Sequence, residues 1–247
     1  LAEAATERYE AAREKIAHFV GATDPEELIY VRNATEALNL VAYSWGRQNI
    51  HAGDRIVITE MEHHSNLVPW MALAREKEAE LVYLPVNDAG ELDLAALPPL
   101  LADGRTRVVA FTLMSNVLGT IPPAQELVAM AHQAGAVVVV DGAQAVPHLP
   151  VNVEALGADF LAFSAHKLGG PGIGALWGRR AILEAMPPFL YGGDMILSVK
   201  KHTATWNDLP YKFEAGTPAI AEAVGFGAAV DFLTALGMEE VHQHEQA

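Results

Sequence analysis

The sequence predicts one α/β domain, in which a mostly parallel β-sheet is sandwiched between helices. Helical and strand patterns alternate along the chain, and helical connections imply parallel neighbouring strands that are covered on both faces. The strand segments are short apolar runs such as "RIVIT" and "AVVVV", which are typical of strands buried on both faces. With 247 residues, 51% of them hydrophobic, the chain can fill one large core.

The first half of the chain alternates regularly between the two patterns. Apolar residues at helical spacing predict a first helix over 1–20, which Gly21 ends because glycine accepts the left-handed conformation. Runs rich in β-branched residues predict strands at 28–31, 54–59, 80–86 and 106–114. Apolar periodicity predicts the helices between them at 32–45, 66–79 and 92–102.

The second half continues the alternation and then changes character. Strands are predicted at 136–141, 159–165 and 174–178, and helices at 123–135, 151–158, 182–186 and 219–237. The segment 191–218, rich in Gly, Pro and Trp, is predicted to be irregular. The glycine cluster "GGPGIG" at 169–174 matches neither nucleotide-binding spacing and is interpreted as a tight turn between two strands.

The composition argues against several classes of function. The formal net charge is −15, from 16 Lys and Arg against 31 Asp and Glu, so the surface repels nucleic acid and anionic membranes. The longest apolar runs are too short to cross a bilayer. The sequence contains no cysteine, which excludes disulfides and thiolate metal sites within it. Together these features predict a cytoplasmic protein without a metal, nucleic-acid or membrane site.

Polar residues directly follow five of the predicted strands. Because ligands bind beyond the carboxyl ends of the strands in an open α/β sheet, these residues predict a site at one edge of the sheet. They are Arg32 to Thr35, Glu60 to His64, Ser115 and Asn116, Asp141 to Gln144, and Ser164 to Lys167.

Two of these residues are open to more than one interpretation. Asp141 follows four valines, so its carboxylate leaves a buried strand and needs a partner. It is either the N-cap of the next turn or the counter-ion of a buried cation, for instance a protonated ring nitrogen. Thr35, at the helix start in "NAT", is either a plain capping residue or part of an anion site with free backbone N–H groups.

The adjacent residues His63 and His64 do not predict a metal site. Neighbouring side chains point in different directions, and neither an HxxxH spacing nor a matching carboxylate accompanies the pair. Each histidine is either hydrogen-bonded within a loop or stacked on a flat aromatic ligand.

Lys167 leaves a buried strand beside Ser164 and His166, at the edge that also collects Asp141. A lone loop lysine is normally solvated, whereas a desolvated lysine can lose its proton and attack a carbonyl. A lysine nucleophile, a carboxylate for a ring nitrogen and a helix start for a phosphate together describe a site for pyridoxal phosphate.

Six motifs occur in the order found in the cysteine desulfurases of the Suf type: "RNATEALNLVA", "EMEHHSNLVPW", "SNVLGT", "VDGAQAVPH", "FSAHKL" and "YKFEAGTP". The chain resembles this branch of the class V aminotransferase family over nearly its whole length. "DGAQ" followed by "SAHK" is typical of the superfamily, and "MEHHSN" and "KFEAGTP" are typical of the desulfurase and selenocysteine lyase branch. The resemblance implies fold type I, the large domain of the pyridoxal phosphate-dependent transferases.

The resemblance implies a role for each site residue. Lys167 would hold the cofactor as a Schiff base, and His63 would stack on its ring; these two are the implied catalytic residues. Asp141 would pair with the pyridine nitrogen, and Gln144 with the phenolic oxygen. The other implied cofactor-binding residues are Ala34 and Thr35 at the phosphate, Ser164 and His166 as further donors, Asn116 beside the ring oxygen, and Thr217, which would reach the phosphate of the neighbouring subunit.

The implied reaction removes sulfur from L-cysteine, leaving L-alanine and an enzyme persulfide that a sulfur-acceptor protein collects for iron–sulfur cluster assembly. The implied assembly is a homodimer, because Thr217 would serve the partner's site. Two alternatives remain open. The first is selenocysteine lyase, acting on L-selenocysteine, or another lyase of the class V family. The second is a dimerisation scaffold without catalysis.

The chain departs from the family pattern in two places. It has no cysteine to carry the persulfide, and its loop reads "GPGIG" where the family usually has the longer "GPTGIG". We therefore expect a piece that is truncated at both ends. Residues 1–20 would be a remnant of the small-domain or N-terminal segment, 21–236 the cofactor-binding large domain, and 237–247 the start of the connection to a missing C-terminal small domain.

Overall fold

The computed structural model describes residues 2–246. Its strands are β1 Leu28–Val31, β2 Arg55–Thr59, β3 Glu80–Leu84, β4 Thr106–Thr112, β5 Val137–Asp141, β6 Phe160–Ser164, β7 Gly174–Gly178, β8 Ile196–Val199 and β9 Ala204–Trp206. Within the described range, β1 to β7 form one sheet in the order β1-β7-β6-β5-β4-β2-β3, and β8 pairs with β9 in a separate hairpin.

The helices alternate with these strands. They are α1 Ala2–Phe19, α2 Ala34–Leu40, α3 Arg47–Asn49, α4 Val68–Lys77, α5 Leu97–Leu101, α6 Ala124–Gln133, α7 Ala145–His148, α8 Val153–Leu156, α9 Arg180–Ala185, α10 Ile220–Leu236 and α11 Met238–Glu245. A π-helical turn, Val41–Gly46, joins α2 to α3. Short 3-10 turns lie at Pro25–Glu27, His64–Asn66, Leu94–Ala96, Ala165–Leu168 and Tyr211–Phe213.

The prediction of a mostly parallel sheet is confirmed, because β3, β2, β4, β5 and β6 pair in parallel. The exception is β7, which runs antiparallel to both β6 and β1. The segment 165–173 that joins β6 to β7 holds only a 3-10 turn and the glycine cluster, which is too short for a helical crossover. The glycine cluster therefore connects two adjacent strands, as predicted.

Hydrophobic cores cover both faces of the sheet. Ile16 of α1 and Phe226 of α10 belong to one core, and Leu38 of α2 and Trp70 of α4 belong to the other. Alternate strand residues enter opposite cores: Val138 and Val140 of β5 join the first, and Val139 joins the second. This burial on both faces explains why the strands are continuous apolar runs.

Two sequence predictions need correction. The segment 191–218 is not wholly irregular, because β8 and β9 form a hairpin within it. Leu197 is 71% exposed, so the hairpin lacks the one-sided burial that gives a strand its alternating pattern. In addition, β4 ends at Thr112, two residues before the predicted end at 114, which moves the sheet edge to Thr112.

Two ion pairs join α1 to the last third of the described chain. In α1, Arg13 forms an ion pair with Glu214 (2.7 Å), and Lys15 forms one with Asp231 of α10 (2.6 Å). The proposed division at residues 20 and 236 stays a prediction. No helix within residues 2–246 is by itself long and apolar enough to cross a membrane; α10 and α11 pass only as a pair, bent by 74°.

Candidate active site

A cavity of about 270 Å³ lies at the carboxyl edge of the sheet, where β4, β5 and β6 end in Thr112, Asp141 and Ser164. The remaining lining residues are Asn33, Ala34, Thr35, His63, Ser65, Asn116, Ala143, Gln144, His166 and Lys167. A neighbouring cavity of about 470 Å³, between α7, α10 and α11, shares Lys167 with it. Lys167 therefore stands where the two cavities meet.

The structure brings together every residue to which the resemblance assigned a role except Thr217. The other polar residues predicted at this edge, Arg32, Glu60, Glu62, His64 and Ser115, do not line the cavity. Thr217 is exposed and lines a different cavity of about 190 Å³, beside Tyr30 and Glu214. Its expected role, in the site of a neighbouring subunit, stays a prediction.

Two lining residues, Ser65 and Thr112, were not among the residues predicted at this edge. Thr112 was missed because β4 ends earlier than predicted. Ser65 follows the two histidines directly, so the turn that carries His63 into the site also carries Ser65. Asn33 and Ala143 lie within the segments predicted at the edge, although no individual role was assigned to either.

The first turn of α2 offers a donor for an anion. Of its leading N–H groups, that of Ala34 donates to Ser164 Oγ (2.8 Å), and that of Glu36 donates to Asn33 Oδ1 (3.0 Å). The Ala37 N–H donates to the Asn33 carbonyl (3.1 Å). The Thr35 N–H has no protein acceptor within residues 2–246. The capping residue is thus Asn33 rather than Thr35, which leaves the Thr35 N–H for a ligand.

His63 and Thr35 are linked through Ser65. The Ser65 hydroxyl lies 2.7 Å from Thr35 Oγ1 and 3.0 Å from His63 Nδ1. The Ser65 N–H also donates to His63 Nδ1 (3.2 Å), so Nδ1 is the acceptor nitrogen and a neutral ring carries its proton on Nε2. The His63 and His64 rings are tilted, with centroids 5.8 Å apart.

Asp141 is 3% exposed at the end of β5. Its Oδ1 accepts a hydrogen bond from the Ala143 N–H (2.9 Å), whereas Oδ2 has no hydrogen-bond partner among the residues that the structure describes. Burial raises the pKa of Asp141 above its ordinary value; the Ala143 N–H and the charges of Lys167 and His63 oppose the rise. The carboxylate thus caps the next turn with one oxygen and leaves the other open to a ligand.

Lys167 lies in the 3-10 turn Ala165–Leu168 and is exposed. The turn places Lys167 just after the end of β6, where it lines both cavities. The positive charge of Lys167 acts on the Asp141 carboxyl and opposes the rise in its pKa.

These groups fit the pyridoxal phosphate that the sequence resemblance implies. An unpaired N–H at Thr35 suits a phosphate, and the open oxygen of Asp141 suits a protonated ring nitrogen. Lys167 offers an amine to an aldehyde, and the His63 ring offers a flat surface. Across residues 2–246, no cluster of three or more His, Asp or Glu side chains is arranged to hold a metal ion.

Comparison with known proteins gives the same family. The model of the family "Aminotransferase class-V" matches residues 1–247. The cysteine desulfurase of Haloferax volcanii is 51% identical over 248 residues, which cover 100% of this chain and 58% of the relative. A probable cysteine desulfurase of Synechocystis is 51% identical over 246 residues, covering 99% of this chain and 58% of the relative.

Solved structures of similar proteins support the same family. The cysteine desulfurase CsdA from Escherichia coli superposes with a TM-score of 0.93 at 43% identity, over 97% of this chain and 60% of CsdA. The cystine C–S lyase C-DES gives a TM-score of 0.85 at 25% identity, over 98% of this chain and 65% of C-DES.

The chain spans about 60% of the length of these relatives. Within that span, every cavity residue except Thr112 stands in one of the motifs that indicated the resemblance. The family model covers the whole sequence, and the identity to curated members reaches 51%. The chain belongs to the class-V aminotransferase family.

Proposed function

We propose that this chain is the cofactor-binding part of a pyridoxal phosphate-dependent cysteine desulfurase. The reaction converts L-cysteine to L-alanine and leaves the sulfur as a persulfide. The observation that carries the proposal is the cavity of about 270 Å³ shared by Lys167, Asp141 and His63. Relatives named cysteine desulfurase, at 51% identity, support the choice of reaction.

When bound, pyridoxal phosphate supplies an electron-accepting ring that stabilises negative charge at the α-carbon of an amino acid. Lys167 would hold the cofactor through Nζ, and the same atom would accept the α-proton of the substrate. Asp141 Oδ2 would keep a proton on the ring nitrogen. His63 would pack on the ring and exclude water, and Gln144 would bind the phenolic oxygen, with Asn116 beside it.

The phosphate end is held by the first turn of α2. The Thr35 N–H donates directly, and Ala34 brings the Ser164 hydroxyl into place. Because Ser164 Oγ already accepts the Ala34 N–H at 2.8 Å, its own hydroxyl proton is available to an anion. His166 adds a further donor from the turn that also carries Lys167.

The sulfur chemistry needs a thiol, and the chain has no cysteine among its 247 residues. The proposed persulfide therefore forms on a thiol supplied by other residues, and a sulfur-acceptor protein of iron–sulfur cluster assembly collects it. The proposed division stays a prediction: 1–20 as a remnant of the small-domain or N-terminal segment, 21–236 as the large domain, and 237–247 as the start of the connection to a small domain. The cytoplasmic location expected from the sequence stays a prediction.

A homodimer completes the proposed site. Thr217 is exposed and lies outside the Lys167 cavity, which suits a residue that serves the phosphate of a partner. Its segment is held rigidly from within the chain, since Glu214 accepts hydrogen bonds from Arg13 (2.7 Å) and from the Tyr30 N–H (2.7 Å).

A second candidate is a C–S lyase that acts on cystine or a related amino acid. The likeness to C-DES favours it, since the solved complex of that lyase holds its product, cysteine persulfide. Selenocysteine lyase also remains, and the choice between sulfur and selenium stays a prediction.

The first experiment measures cofactor binding. Purified protein titrated with pyridoxal phosphate should develop a visible absorption band, and Lys167→Ala should lose it. Lys200→Ala, at an exposed lysine beside the β8–β9 turn, is the matched control and should keep the band. Wild-type protein that stays colourless with excess cofactor would exclude all three enzyme candidates and favour the scaffold.

The second experiment identifies the reaction. The loaded protein is given L-cysteine, L-selenocysteine or cystine, each with an added thiol, and the products are separated. Alanine from cysteine supports the desulfurase, and alanine from selenocysteine alone supports selenocysteine lyase. Pyruvate from cystine supports the C–S lyase instead.

A further inference from the structure

We propose that Glu62 is a positioning residue, whose carboxyl group fixes the turn that carries His63 and thereby sets the His63 ring against the cofactor. The inference rests on the proposed function, because the ring that His63 would contact is that of pyridoxal phosphate. Glu62 was predicted at this edge of the sheet without an individual role, and it does not itself line the cavity.

Two hydrogen bonds attach Glu62 to the sheet. Its Oε1 accepts a hydrogen bond from the Thr112 N–H (2.8 Å) and another from the Thr59 hydroxyl. Thr59 ends β2 and Thr112 ends β4, so one carboxylate oxygen joins the ends of two adjacent strands. Thr112 in turn stands opposite Asp141 in the pairing of β4 with β5.

Glu62 is also attached to the turn that carries His63. Its Oε2 accepts a hydrogen bond from Asn66 Nδ2 (2.6 Å), and the Asn66 N–H donates to the His63 carbonyl (2.8 Å). Both ends of the segment 62–66 are therefore fixed, with His63 and Ser65 between them. Ser65 passes this order on, because its hydroxyl contacts both His63 Nδ1 and Thr35 Oγ1.

The side-chain amide of Asn66 is held in one orientation. Its Oδ1 accepts a hydrogen bond from Trp70 Nε1 (2.9 Å), and Asn66 and Trp70 are both fully buried. A flipped amide would set two donors against each other and leave the indole N–H unpaired, which is costly inside a protein. Position 62 must therefore present an acceptor to Asn66, and an acceptor on its other atom to Thr112.

One substitution tests this arrangement directly. Glu62→Gln keeps the size, and its one oxygen can serve Thr112, but its amide then meets the Asn66 amide, donor to donor. The turn should move, and the His63 ring with it. We expect the affinity for pyridoxal phosphate to fall about tenfold and the visible circular dichroism of the lysine-bound cofactor to change.

The matched control is Glu27→Gln. Glu27 also accepts hydrogen bonds from a tryptophan indole, Trp177 Nε1 (3.1 Å), and from a backbone N–H, that of Arg180 (2.8 Å). It precedes β1, outside the cavity. A purely structural glutamate should lower the melting temperature when substituted but leave the cofactor affinity and the dichroism unchanged.

The rescue is the double variant Glu62→Gln with Asn66→Asp. Aspartate at position 66 accepts from Trp70 with one oxygen and from the glutamine amide introduced at position 62 with the other. The pattern of donors and acceptors is then restored, and the net charge is unchanged. We expect affinity to return to within about threefold of wild type and the dichroism to return to the wild-type shape. This recovery would show that hydrogen-bond geometry is what Glu62 supplies.

The results separate this inference from the proposed function. Wild-type protein that fails to bind the cofactor overturns the function. Wild-type protein that binds it, together with a folded Glu62→Gln protein of unchanged affinity and dichroism, overturns only the role of Glu62. If Glu62→Gln does not fold, Thr59→Val removes the hydroxyl bond alone; a weaker change in the same direction supports the role, and none overturns it.

Discussion

Asp141 ends β5 with one carboxylate oxygen bonded to the Ala143 N–H and the other without a hydrogen-bond partner within residues 2–246. Burial raises its pKa, so a free carboxylate at this position is held at a cost to the cofactor-free protein. A bound cation would remove that cost. Asp141 therefore lowers the stability of the cofactor-free protein and should stabilise the cofactor-bound protein, which is the behaviour expected of a counter-ion.

The first prediction concerns Asp141→Asn. The amide avoids the burial of a charge, so the cofactor-free protein should be at least as stable as wild type near neutral pH. It cannot pair with a protonated ring nitrogen, so the affinity for pyridoxal phosphate should fall at least about tenfold. Urea unfolding and cofactor titration measure the two effects. A variant that binds the cofactor as wild type does would rule out the counter-ion role.

Asp159→Asn is the matched control for this prediction. Asp159 is also a buried aspartate beside β5 and β6, but it accepts hydrogen bonds from the Val138 N–H (2.8 Å) and pairs with Arg179 (3.1 Å) at the opposite edge of the sheet. Its substitution should lower stability and leave cofactor affinity unchanged.

The second prediction is a pH dependence of stability caused by Glu62. Burial raises its pKa to about 8, and the charge of Asp141 adds to the rise, while hydrogen bonds from Thr59, Asn66 and Thr112 oppose it. An unfolded glutamate titrates near about 4.3. Between these values the folded protein holds a proton that the unfolded chain has released, so the free energy of unfolding falls as pH rises.

Glu62→Gln should remove this contribution. Urea unfolding at several pH values between about 5 and 8 should give a shallower decline for the variant than for wild type, by at most about 1.4 kcal/mol per pH unit. Equal slopes for the two proteins would mean that Glu62 ionises normally in the fold.

Among the elements, α1 is tied to the segment that carries Thr217 by a buried ion pair. Arg13 is 1% exposed, and it donates to both oxygens of Glu214 (2.7 and 3.0 Å) and to the Leu28 carbonyl (2.7 Å). Its guanidinium also lies over the rings of Tyr9 and Tyr30, at 5.1 and 4.5 Å. The motif "KFEAGTP" is thus an anchor at Glu214 followed by the exposed Thr217.

The third prediction follows from this anchor. Glu214→Gln removes the buried partner of the Arg13 charge and leaves it only the pair with the half-buried Glu10 (2.9 Å), so the free energy of unfolding should fall by up to about 3–5 kcal/mol. Asp231→Asn breaks the exposed pair with Lys15 between α1 and α10 and should cost less than about 1 kcal/mol. Denaturant unfolding of both variants tests the difference, and equal losses would contradict it.

The fourth prediction concerns the approach of β7 to α2. A Cβ added at Gly174 would lie 2.6 Å from Asn33 Cα and 2.7 Å from the Phe163 carbonyl oxygen, both backbone atoms that cannot give way easily. Gly174→Ala should therefore displace the capping residue of α2 and weaken cofactor binding about tenfold or more. Gly172→Ala, in the same glycine cluster, meets nothing within 4 Å and should bind normally. Cofactor titration of the two variants decides.

For the whole molecule, the proposed homodimer makes a prediction about mixed subunits. If Thr217 serves the partner's phosphate, a dimer of one Lys167→Ala and one Thr217→Ala subunit contains one site with both changes and one site with neither. Mixing the two variants, after dissociation and reassociation, should create tight cofactor sites that neither variant forms alone. Titration of the visible band measures them, and no gain on mixing would mean that Thr217 acts within its own chain.

The sequence predicted the main elements because burial on both faces leaves a strong pattern. The β5 valines and the apolar stripe of α2 are examples, since each must fill a core. The hairpin of β8 and β9 was missed for the opposite reason: Leu197 and Val199 are exposed, so no core imposes a pattern on them. The antiparallel direction of β7 has another cause: the segment 165–173 between β6 and β7 is too short for a helical crossover.

By itself, the sequence determined that this is an α/β protein with a lysine, a carboxylate and a helix start at the ends of neighbouring strands. It could do so because strand burial and motif order follow directly from residue types. Only the tertiary structure decided that Asn33 rather than Thr35 caps α2, that Lys167 is exposed, and that Glu62 connects β2, β4 and the His63 turn. These are matters of which donor meets which acceptor. Whether residues distant along the chain form a hydrogen bond depends on differences in distance of a few tenths of an ångström, and no local pattern of residues specifies these differences.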